Sequence, residues 1–380
     1  GGVFSQGPAV LLADAVGLEM KIGRSGTLSG GNALRQGDDD GDFIALDNSG
    51  LVRGTDGTAV RARSAALDMR NRGTGRIEGG VDVNEIQGTN AGMIEAGEVS
   101  AIRARYLDID NSGAIANNSA AEATIAVAQG VIRNQGLIES RGAAPAISAA
   151  DLELRNRAGG VIRGAGDTAI RVTEQAVIEN AGQIDGGVAL GQYGDRFYQR
   201  IGGSVAGNIA MGDGDDQFWR EGNATGVAGM PSGTLDGGDG IDIYGIRMTG
   251  SGTVAFGSLP TGFERYGLDL CGCNLDVTIA AENLTGALSV SGPGVVTNLA
   301  SFTYAGSDAG LEIRAYNASG NGGTLTVINR GALNFTGISA PESGPPVALI
   351  DANDFLTGFV NDTGGPINLS GEAIYDIRTA

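Results

Sequence analysis

An asparagine-centred repeat of about 22 residues is the feature that most restricts how this chain can fold. Each copy has an apolar residue, a variable residue and Asn, then in most copies Gly two positions later and an apolar pair. The stretch Ile132-Arg133-Asn134-Gln135-Gly136-Leu137-Ile138 is one example. A period of this length is typical of solenoids, in which each repeat packs only on its neighbours. The repeat asparagines are Asn48, Asn71, Asn90, Asn111, Asn134, Asn156 and Asn180.

Three short apolar segments occur within each repeat, and Gly or Asn separates them. The repeat that ends at Asn180 contains Val161-Ile162, then Ala169-Ile170-Arg171-Val172, then Ala176-Val177-Ile178. These segments are too short for helices and are predicted to be strands. The sequence therefore predicts an all-β fold, a right-handed single-stranded parallel β-helix with three short strands per coil. A leucine-rich repeat has a similar period, but its spacing of leucines is absent.

The repeated Asn and Gly have a stereochemical interpretation. Asn tolerates the left-handed conformation at a tight corner, and stacked Asn side chains can hydrogen-bond along the axis. Gly takes a positive φ beside it without steric cost. We therefore assign the seven asparagines a structural role.

Two outward columns carry charges that mostly alternate in sign from coil to coil. Such columns predict ion pairs along the stack and a structural rather than catalytic face. The residues before each Asn are Asp47, Arg70, Thr89, Asp110, Arg133, Arg155 and Glu179. The residues in the next strand are Arg53, Glu78, Glu95, Ala116, Glu139, Arg163 and Asp185.

Composition excludes several functions. A net charge of −19 leaves no means of neutralising phosphates, so no nucleic-acid partner is expected. The absence of His removes a Ser-His-Asp triad and the commonest transition-metal ligand. Cys271 and Cys273 are too few for a disulfide framework, and they form either a small local disulfide or two free thiols.

The regularity of the repeat and the content of aromatic and Asp/Gly residues divide the chain into three regions. Regular coils are predicted for residues 1–190, and modified coils with Asp/Gly turns and aromatic residues for 191–250. A less regular continuation of the same solenoid is predicted for 251–380.

Two segments of the middle region resemble a calcium-binding nonapeptide. They are Met211 to Phe218 and Gly237 to Tyr244. Aspartate carboxylates and turn carbonyls are the oxygen ligands that Ca²⁺ prefers, so calcium is the one cofactor the sequence suggests. The alternative is a pair of Asp/Gly turns exposed to water. The candidate ligands are Asp213, Asp215, Asp216, Asp239 and Asp242.

Aromatic residues concentrate in the same region. Those with a polar group, Tyr193, Tyr198, Trp219 and Tyr244, are candidates for stacking against sugar rings. The alternative is that such aromatics fill a widened coil.

An enzymatic function is the second hypothesis, because many polysaccharide lyases and glycoside hydrolases use a β-helix. Hydrolysis needs two carboxylates at a defined separation. Asp and Arg are abundant here but spread over every coil, and the coils are uniform in length. We therefore expect no catalytic residues, with a polysaccharide-active enzyme as the alternative.

The coils resemble the passenger region of autotransporters, the surface proteins of Gram-negative bacteria. The likeness covers about residues 45–340. It includes Gly207 to Phe218, Gly233 to Gly240 and Gly262-Phe263-Glu264-Arg265-Tyr266. The close pair of cysteines also suits that family.

The resemblance implies secretion and display on the cell surface, with adhesion, cell–cell association or surface-layer structure as the function. The implied partners are other cells or a host surface, with glycans among their components. A separate hypothesis is self-association, in which exposed coil ends or flat faces pair with sister molecules. The family's membrane attachment is a C-terminal translocator β-barrel.

Overall fold

The computed structural model describes residues 2–4, 10–12, 17–36, 43–305, 311–314, 324–336, 348–352, 357–362, 367–370 and 376–379. These residues contain strands and no helix, and they form a parallel β-solenoid of about 12 turns with about 23 residues per coil. The predicted all-β solenoid is confirmed. Over the same residues there is consequently no helix long and apolar enough to cross a membrane.

The strands are short and follow one another at turns. The first twenty are β1 (Gly2–Phe4), β2 (Val10–Leu12), β3 (Gly17–Ile22), β4 (Thr27–Gly30), β5 (Leu34–Gln36), β6 (Phe43–Asn48), β7 (Leu51–Gly54), β8 (Val60–Asn71), β9 (Arg76–Glu78), β10 (Val81–Asn90), β11 (Met93–Ala96), β12 (Ile102–Asn111), β13 (Ala114–Asn117), β14 (Ile125–Asn134), β15 (Leu137–Ser140), β16 (Ile147–Asn156), β17 (Val161–Val172), β18 (Ala176–Asn180), β19 (Gln183–Ala189) and β20 (Arg196–Gln199). The others are β21 (Ser204–Val205), β22 (Ile209–Ala210), β23 (Gln217–Asn223), β24 (Gly226–Val227), β25 (Leu235–Asp236), β26 (Ile243–Met248), β27 (Gly252–Val254), β28 (Arg265–Asp269), β29 (Leu275–Ile279), β30 (Asn283–Thr285), β31 (Ala287–Ser291), β32 (Gly294–Asn298), β33 (Ser301–Tyr304), β34 (Leu311–Arg314), β35 (Leu325–Asn329), β36 (Leu333–Thr336), β37 (Ala348–Ala352), β38 (Thr357–Asn361), β39 (Ile367–Ser370) and β40 (Asp376–Thr379).

The chain divides into two compact units. Unit 1 comprises Gly1–Phe197, Gly202–Asp213 and Met230–Leu235. Unit 2 comprises Tyr198–Ile201, Gly214–Gly229 and Asp236–Ala380. The division into regions 1–190, 191–250 and 251–380 stays a prediction.

Each coil of unit 1 contributes strand segments to three parallel stacks. The segment Glu85 to Asn90 of β10 pairs with β8 on one side and β12 on the other, and β11 pairs with β9 and β13. The register of β10 against β8 shifts between Val83 and Glu85, where one long strand passes from one stack to the next. Three stacks surround one apolar interior, because alternate side chains point inward.

Apolar side chains fill this interior in ladders. One ladder lies in the short strands that follow the repeat asparagines, and all its members are buried. Burying each such side chain contributes about 1.5–3 kcal/mol, so the ladders supply most of the stabilisation of this unit. The ladder consists of Val52, Ile77, Ile94, Ile115, Ile138, Ile162, Ile184 and Val205.

The seven repeat asparagines form a second, polar column inside unit 1. Each Nδ2 donates to the Oδ1 of the next Asn along the stack, at distances of 2.7–2.9 Å. Each of these six donors also reaches a carbonyl oxygen; Asn90, for example, donates to Ala114 O at 3.2 Å. The column begins at Asn48, because Ile22 occupies the corresponding position one coil earlier. Stacked Asn side chains therefore replace water as partners for buried polar groups.

The backbone at this corner differs from the expectation. None of the seven asparagines has a positive φ, and neither do the glycines two positions after them; Cys271 and Asn274 are the only non-glycine residues of the described chain with one. The glycines are needed because successive turns approach closely. A Cβ on Gly113 would lie 2.0 Å from Gly92 O, and one on Gly136 would lie 2.1 Å from Gly113 O. The predicted positive φ at this corner was therefore wrong. Glycine is required because the backbones of successive turns are closely stacked.

Unit 2 also has three parallel stacks. One runs β27, β29, β32, β35, β38 and a second runs β30, β33, β36, β39. The third contains β23, β26, β28, β31, β34, β37 and β40. A shorter asparagine column, Asn298 to Asn329 to Asn361, has the same Nδ2-to-Oδ1 bonds at 2.8 Å. Cys271 and Cys273 form a disulfide, which selects the first of the two alternatives for these cysteines.

Candidate functional site

The outward column from Arg53 to Asp185 is an aligned row of charges on unit 1. Neighbouring members pair where their signs differ: Arg53 with Glu78 at 2.6 Å, and Arg163 with both Glu139 at 3.2 Å and Asp185 at 3.1 Å. All these side chains are partly exposed, so each pair contributes at most about 1 kcal/mol.

Arg141 compensates for the one neutral member of that row. Ala116 separates Glu95 from Glu139, and the Arg141 guanidinium contacts both carboxylates, at 2.6 Å and 2.8 Å. Burial raises the pKa of Glu139, but its hydrogen bonds with Arg141 and Arg163 outweigh burial and hold the pKa below its ordinary value. Glu139 is therefore an ionised structural residue and a poor general acid.

The column before the asparagines pairs differently. Asp47 binds Arg72, two residues beyond its column neighbour Arg70, at 2.5 Å. Arg133 binds Asp108 at 2.5 Å rather than its column neighbour Asp110. Partners therefore come from adjacent rows as well as from the same row, because long Arg side chains reach across the face.

The candidate calcium ligands Asp216 and Asp242 are buried inside unit 2. They occupy the same position on successive coils, since Gln217 pairs with Ile243. Asp242 Oδ1 accepts a hydrogen bond from Asp216 N at 2.7 Å, and Glu264 Oε2 accepts one from Asp242 N at 2.8 Å. Asp242 and Glu264 thus each bind the backbone of the preceding coil, a role that the sequence did not reveal.

The other three candidate ligands are exposed. Asp215 Oδ1 accepts from Ile241 N at 3.0 Å, and Asp239 O accepts from Gly214 N at 2.7 Å in unit 2. Asp213 belongs to unit 1. Over the described ranges, no group of three or more His, Cys, Asp or Glu side chains is placed to hold a metal ion.

Calcium binding by these five aspartates stays a prediction that rests on the nonapeptide-like sequence. Thermal melting of the chain with and without a chelator tests it. A structural calcium ion stabilises the folded state by mass action, so chelation would lower Tm. An unchanged Tm would exclude such an ion.

Unit 1 contains a buried acid of the same kind at Asp195, which was not among the predicted sites. Its Oδ1 accepts from Ala176 N at 2.6 Å and its Oδ2 from Gly191 N at 3.2 Å. Burial raises the pKa of Asp195 to about 6. The signal that could have found it is the recurrence of Asp before an alternating aromatic strand, in Asp195-Arg196-Phe197, Asp216-Gln217-Phe218 and Asp242-Ile243-Tyr244.

Replacing Asp242 with Asn should change how stability depends on pH. Burial, together with the carboxylates of Glu264, Asp215 and Asp236, raises the pKa of Asp242 to about 6. The folded state therefore keeps a proton that the unfolded chain releases near its ordinary pKa of 3.8, and Asp242 costs stability as pH rises through this window. Asn cannot ionise. The free energy of unfolding of the variant, relative to the parent, should gain about 2–3 kcal/mol between pH ~4 and pH ~7.5 in denaturant titrations.

Asp195→Asn is the matched control for this experiment. Both oxygens of Asp195 accept N–H groups, whereas Asp242 Oδ2 is buried with no hydrogen-bond partner. In Asp195→Asn, the side-chain NH₂ would face a backbone N–H that now donates to Asp195. This variant should therefore be less stable than the parent at low pH, where position 195 is uncharged in both proteins. A pH-independent difference between Asp242→Asn and the parent would contradict the raised pKa.

Tyr244 does not lie on the surface, so its predicted sugar-stacking role is wrong. It is 2% exposed, stacks on Phe218 with ring centroids 6.2 Å apart, and meets Phe263 edge-on. The buried Arg220 guanidinium lies 5.3 Å from the Tyr244 ring centroid. Strand alternation places Phe218 and Tyr244 inside, and aromatic side chains there fill the coil.

Trp219 lies on the outside of the same strand. Its indole lies across two glycines of the following coils, because a Cβ on Gly245 would lie 2.3 Å from Trp219 Cε3 and one on Gly267 2.6 Å from Cη2. The indole Nε1 donates to Gln217 Oε1 at 3.1 Å. Tyr193 is 56% exposed and Tyr198 is half-buried. Sugar stacking by Tyr193, Tyr198 and Trp219 stays a prediction.

The fold and these surfaces define the chain as a parallel β-solenoid protein. Comparison with protein-family models, curated proteins and solved structures finds no match.

Proposed function

We propose that this protein is a non-catalytic scaffold displayed on the surface of a Gram-negative bacterium, where it serves adhesion, cell–cell association or surface-layer structure. Display is supported by the resemblance of the coils to autotransporter passengers. Because a fold hosts many functions, the absence of catalysis needs support from the outward side chains.

The paired charges on unit 1 carry this proposal. Catalytic acids and bases usually have a pKa adjusted toward the working pH and a partner placed for the reaction. Here the pKa of Glu139 lies below its ordinary value, and Arg141 and Arg163 bind both its carboxylate oxygens. Groups used in this way stabilise register and keep a long face soluble, as a displayed scaffold requires.

Attachment of coated beads to cells tests adhesion. Beads carrying the folded chain should bind either the cells that produce the protein or a host cell surface, whereas beads carrying the heat-denatured chain should not. Antibody labelling of intact cells tests display. Equal attachment of both bead types, or labelling only after lysis, would contradict the proposal.

The alternative, a polysaccharide-active enzyme, is separated by a direct assay. The chain is incubated with neutral and acidic polysaccharides, and reducing ends and unsaturated products are measured. Turnover above that of the denatured chain would exclude the non-catalytic function.

Association with sister molecules is a further form of the same proposal. Sedimentation at increasing concentration should show species larger than the monomer if the displayed chains pair with one another. A strict monomer at high concentration would limit the proposed partners to other molecules.

A further inference from the structure

We propose that a groove on unit 1 binds an extended, uncharged oligosaccharide. The inference deepens the proposed function by naming a ligand class for the displayed scaffold. The groove has a volume of about 610 Å³ and crosses the outward face of β10, β12, β14, β16 and β18. It lies outside the region 191–250, where the sequence placed the binding chemistry.

Two parallel rows of side chains form the walls. The parallel register aligns Glu85, Tyr106, Gln129 and Asp151, and Gln175 continues this first row. The second row, two residues further along each strand, holds Gln87, Asp108, Val131, Glu153 and Val177. Strands of a sheet are ~4.8 Å apart, so five of them extend the rows over about 19 Å. A ligand that repeats along its own length fits such rows better than a compact one.

The chemistry of the walls suits hydroxyl groups. Amides both donate and accept hydrogen bonds and carboxylates accept them, so Gln129 and Asp151, already joined at 3.1 Å, can pair with either side of a sugar hydroxyl. Tyr106 and Val177, 36% and 39% exposed, add apolar surface for the carbon faces of a ring. The Arg105 guanidinium lies 5.1 Å from the Tyr106 ring centroid, which restrains that ring.

The charge of the walls selects against acidic polymers. The described residues that line the groove include four carboxylates, from Glu85, Asp108, Asp151 and Glu153, and no Lys or Arg. Arg133 and Arg155 partly neutralise Asp108 and Glu153 from outside the groove, at 2.5 Å and 3.2 Å. A uronate chain would place its carboxylates against the remaining negative charge.

A peptide occupant is less favoured. Addition of a strand needs a free sheet edge, whereas β12, β14 and β16 are each paired on both sides across this face. Polyproline segments bind to grooves lined by several aromatic side chains, and the lining of this groove includes one, Tyr106.

Calorimetry with defined hexasaccharides tests the groove in the full chain. The probes are cello-, manno- and xylohexaose, with hexagalacturonate as the acidic comparison. At least one neutral hexasaccharide should bind with a Kd of about 1 mM or lower, and hexagalacturonate should bind at least tenfold more weakly. Tyr106→Ala and the nearly isosteric Asp151→Asn should each weaken binding about tenfold. Leu299→Ala, which removes an exposed apolar side chain of unit 2 outside the groove, should leave binding unchanged.

Three results would overturn the inference: no neutral hexasaccharide binds, hexagalacturonate binds as tightly as the neutral probes, or Leu299→Ala weakens binding as much as Tyr106→Ala. Circular dichroism of each variant verifies folding, and Asp151→Asn preserves the shape of the groove if Tyr106→Ala destabilises it. Product analysis of the same mixtures separates the two proposals. Cleavage of the bound sugar would exclude the non-catalytic function while supporting the groove, and absence of binding would exclude the groove while leaving adhesion to the bead assay.

Discussion

Replacing Asn111 with Leu should lower the free energy of unfolding of unit 1 by about 3 kcal/mol. Asn111 lies in the middle of the asparagine column, where it accepts from Asn90 Nδ2 and donates to Asn134 Oδ1, both at 2.8 Å. Leu has a similar size but removes both bonds. Two buried polar groups then lose a partner, and such a loss costs about 1–3 kcal/mol each. Denaturant titration followed by far-ultraviolet circular dichroism measures the effect.

Asn48→Leu is the comparison variant, because Asn48 begins the column. Asn48 donates to Asn71 Oδ1 at 2.9 Å, but the position before it is held by the apolar Ile22, and its Oδ1 accepts instead from Gly50 N at 3.0 Å. Asn48→Leu therefore breaks one bond of the column and one bond within its own turn, and it should cost about as much as Asn111→Leu. A loss below about 1 kcal/mol for either variant would show that these buried hydrogen bonds do not stabilise the column.

Replacing Gly136 with Ala should destabilise unit 1 by about 3 kcal/mol. The added Cβ would lie 2.1 Å from Gly113 O and 2.7 Å from Ser112 C, both backbone atoms of the preceding turn. Rigid backbone cannot move away as a side chain can, so neighbouring coils must separate. Overpacking of this kind is among the few mechanisms that give large effects. Thermal melting and denaturant titration both measure it.

Gly73→Ala is the control, and it occupies the equivalent position in the sequence repeat. Its Cβ would have Ala91 O at 3.9 Å as its nearest neighbour, an ordinary contact. The turn after Asn71 is two residues longer, and Gly75 takes the crowded position, where an added Cβ would lie 2.5 Å from Asn48 O. Gly73→Ala should therefore change stability by less than about 0.5 kcal/mol. A comparable loss in both variants would mean that the motif, rather than backbone contact, requires glycine.

Gly73 and Gly136 have the same place in the sequence repeat but different surroundings in the structure. Counting two positions from each Asn treats Gly73 and Gly136 alike, whereas the strand register aligns Gly75 with Gly50 and Gly92. A turn that gains two residues still has to return to the same stack, so the position in space decides which glycine is crowded.

The candidate sites could be predicted only in part. The sequence singled out Asp and aromatic residues of the middle region, but it did not predict the directions of their side chains. Alternation along one strand places Phe218 and Arg220 inside and Trp219 outside. The groove was not found at all, because its walls come from residues about 22 positions apart whose common feature is that they lie side by side.

By itself the sequence determined the asparagine repeat, the three short strands of each coil and hence the parallel β-solenoid, because these depend on local periodicity and on which side chains prefer the interior. The tertiary structure decided what depends on the exact stacking of coils. It determined which glycines are required by close backbone contact and how Arg141 pairs with Glu95 beside Ala116. It also determined the burial of Asp242 and Tyr244 and the groove beside Tyr106. These features arise between coils, and a period read along one chain does not contain the register that aligns them.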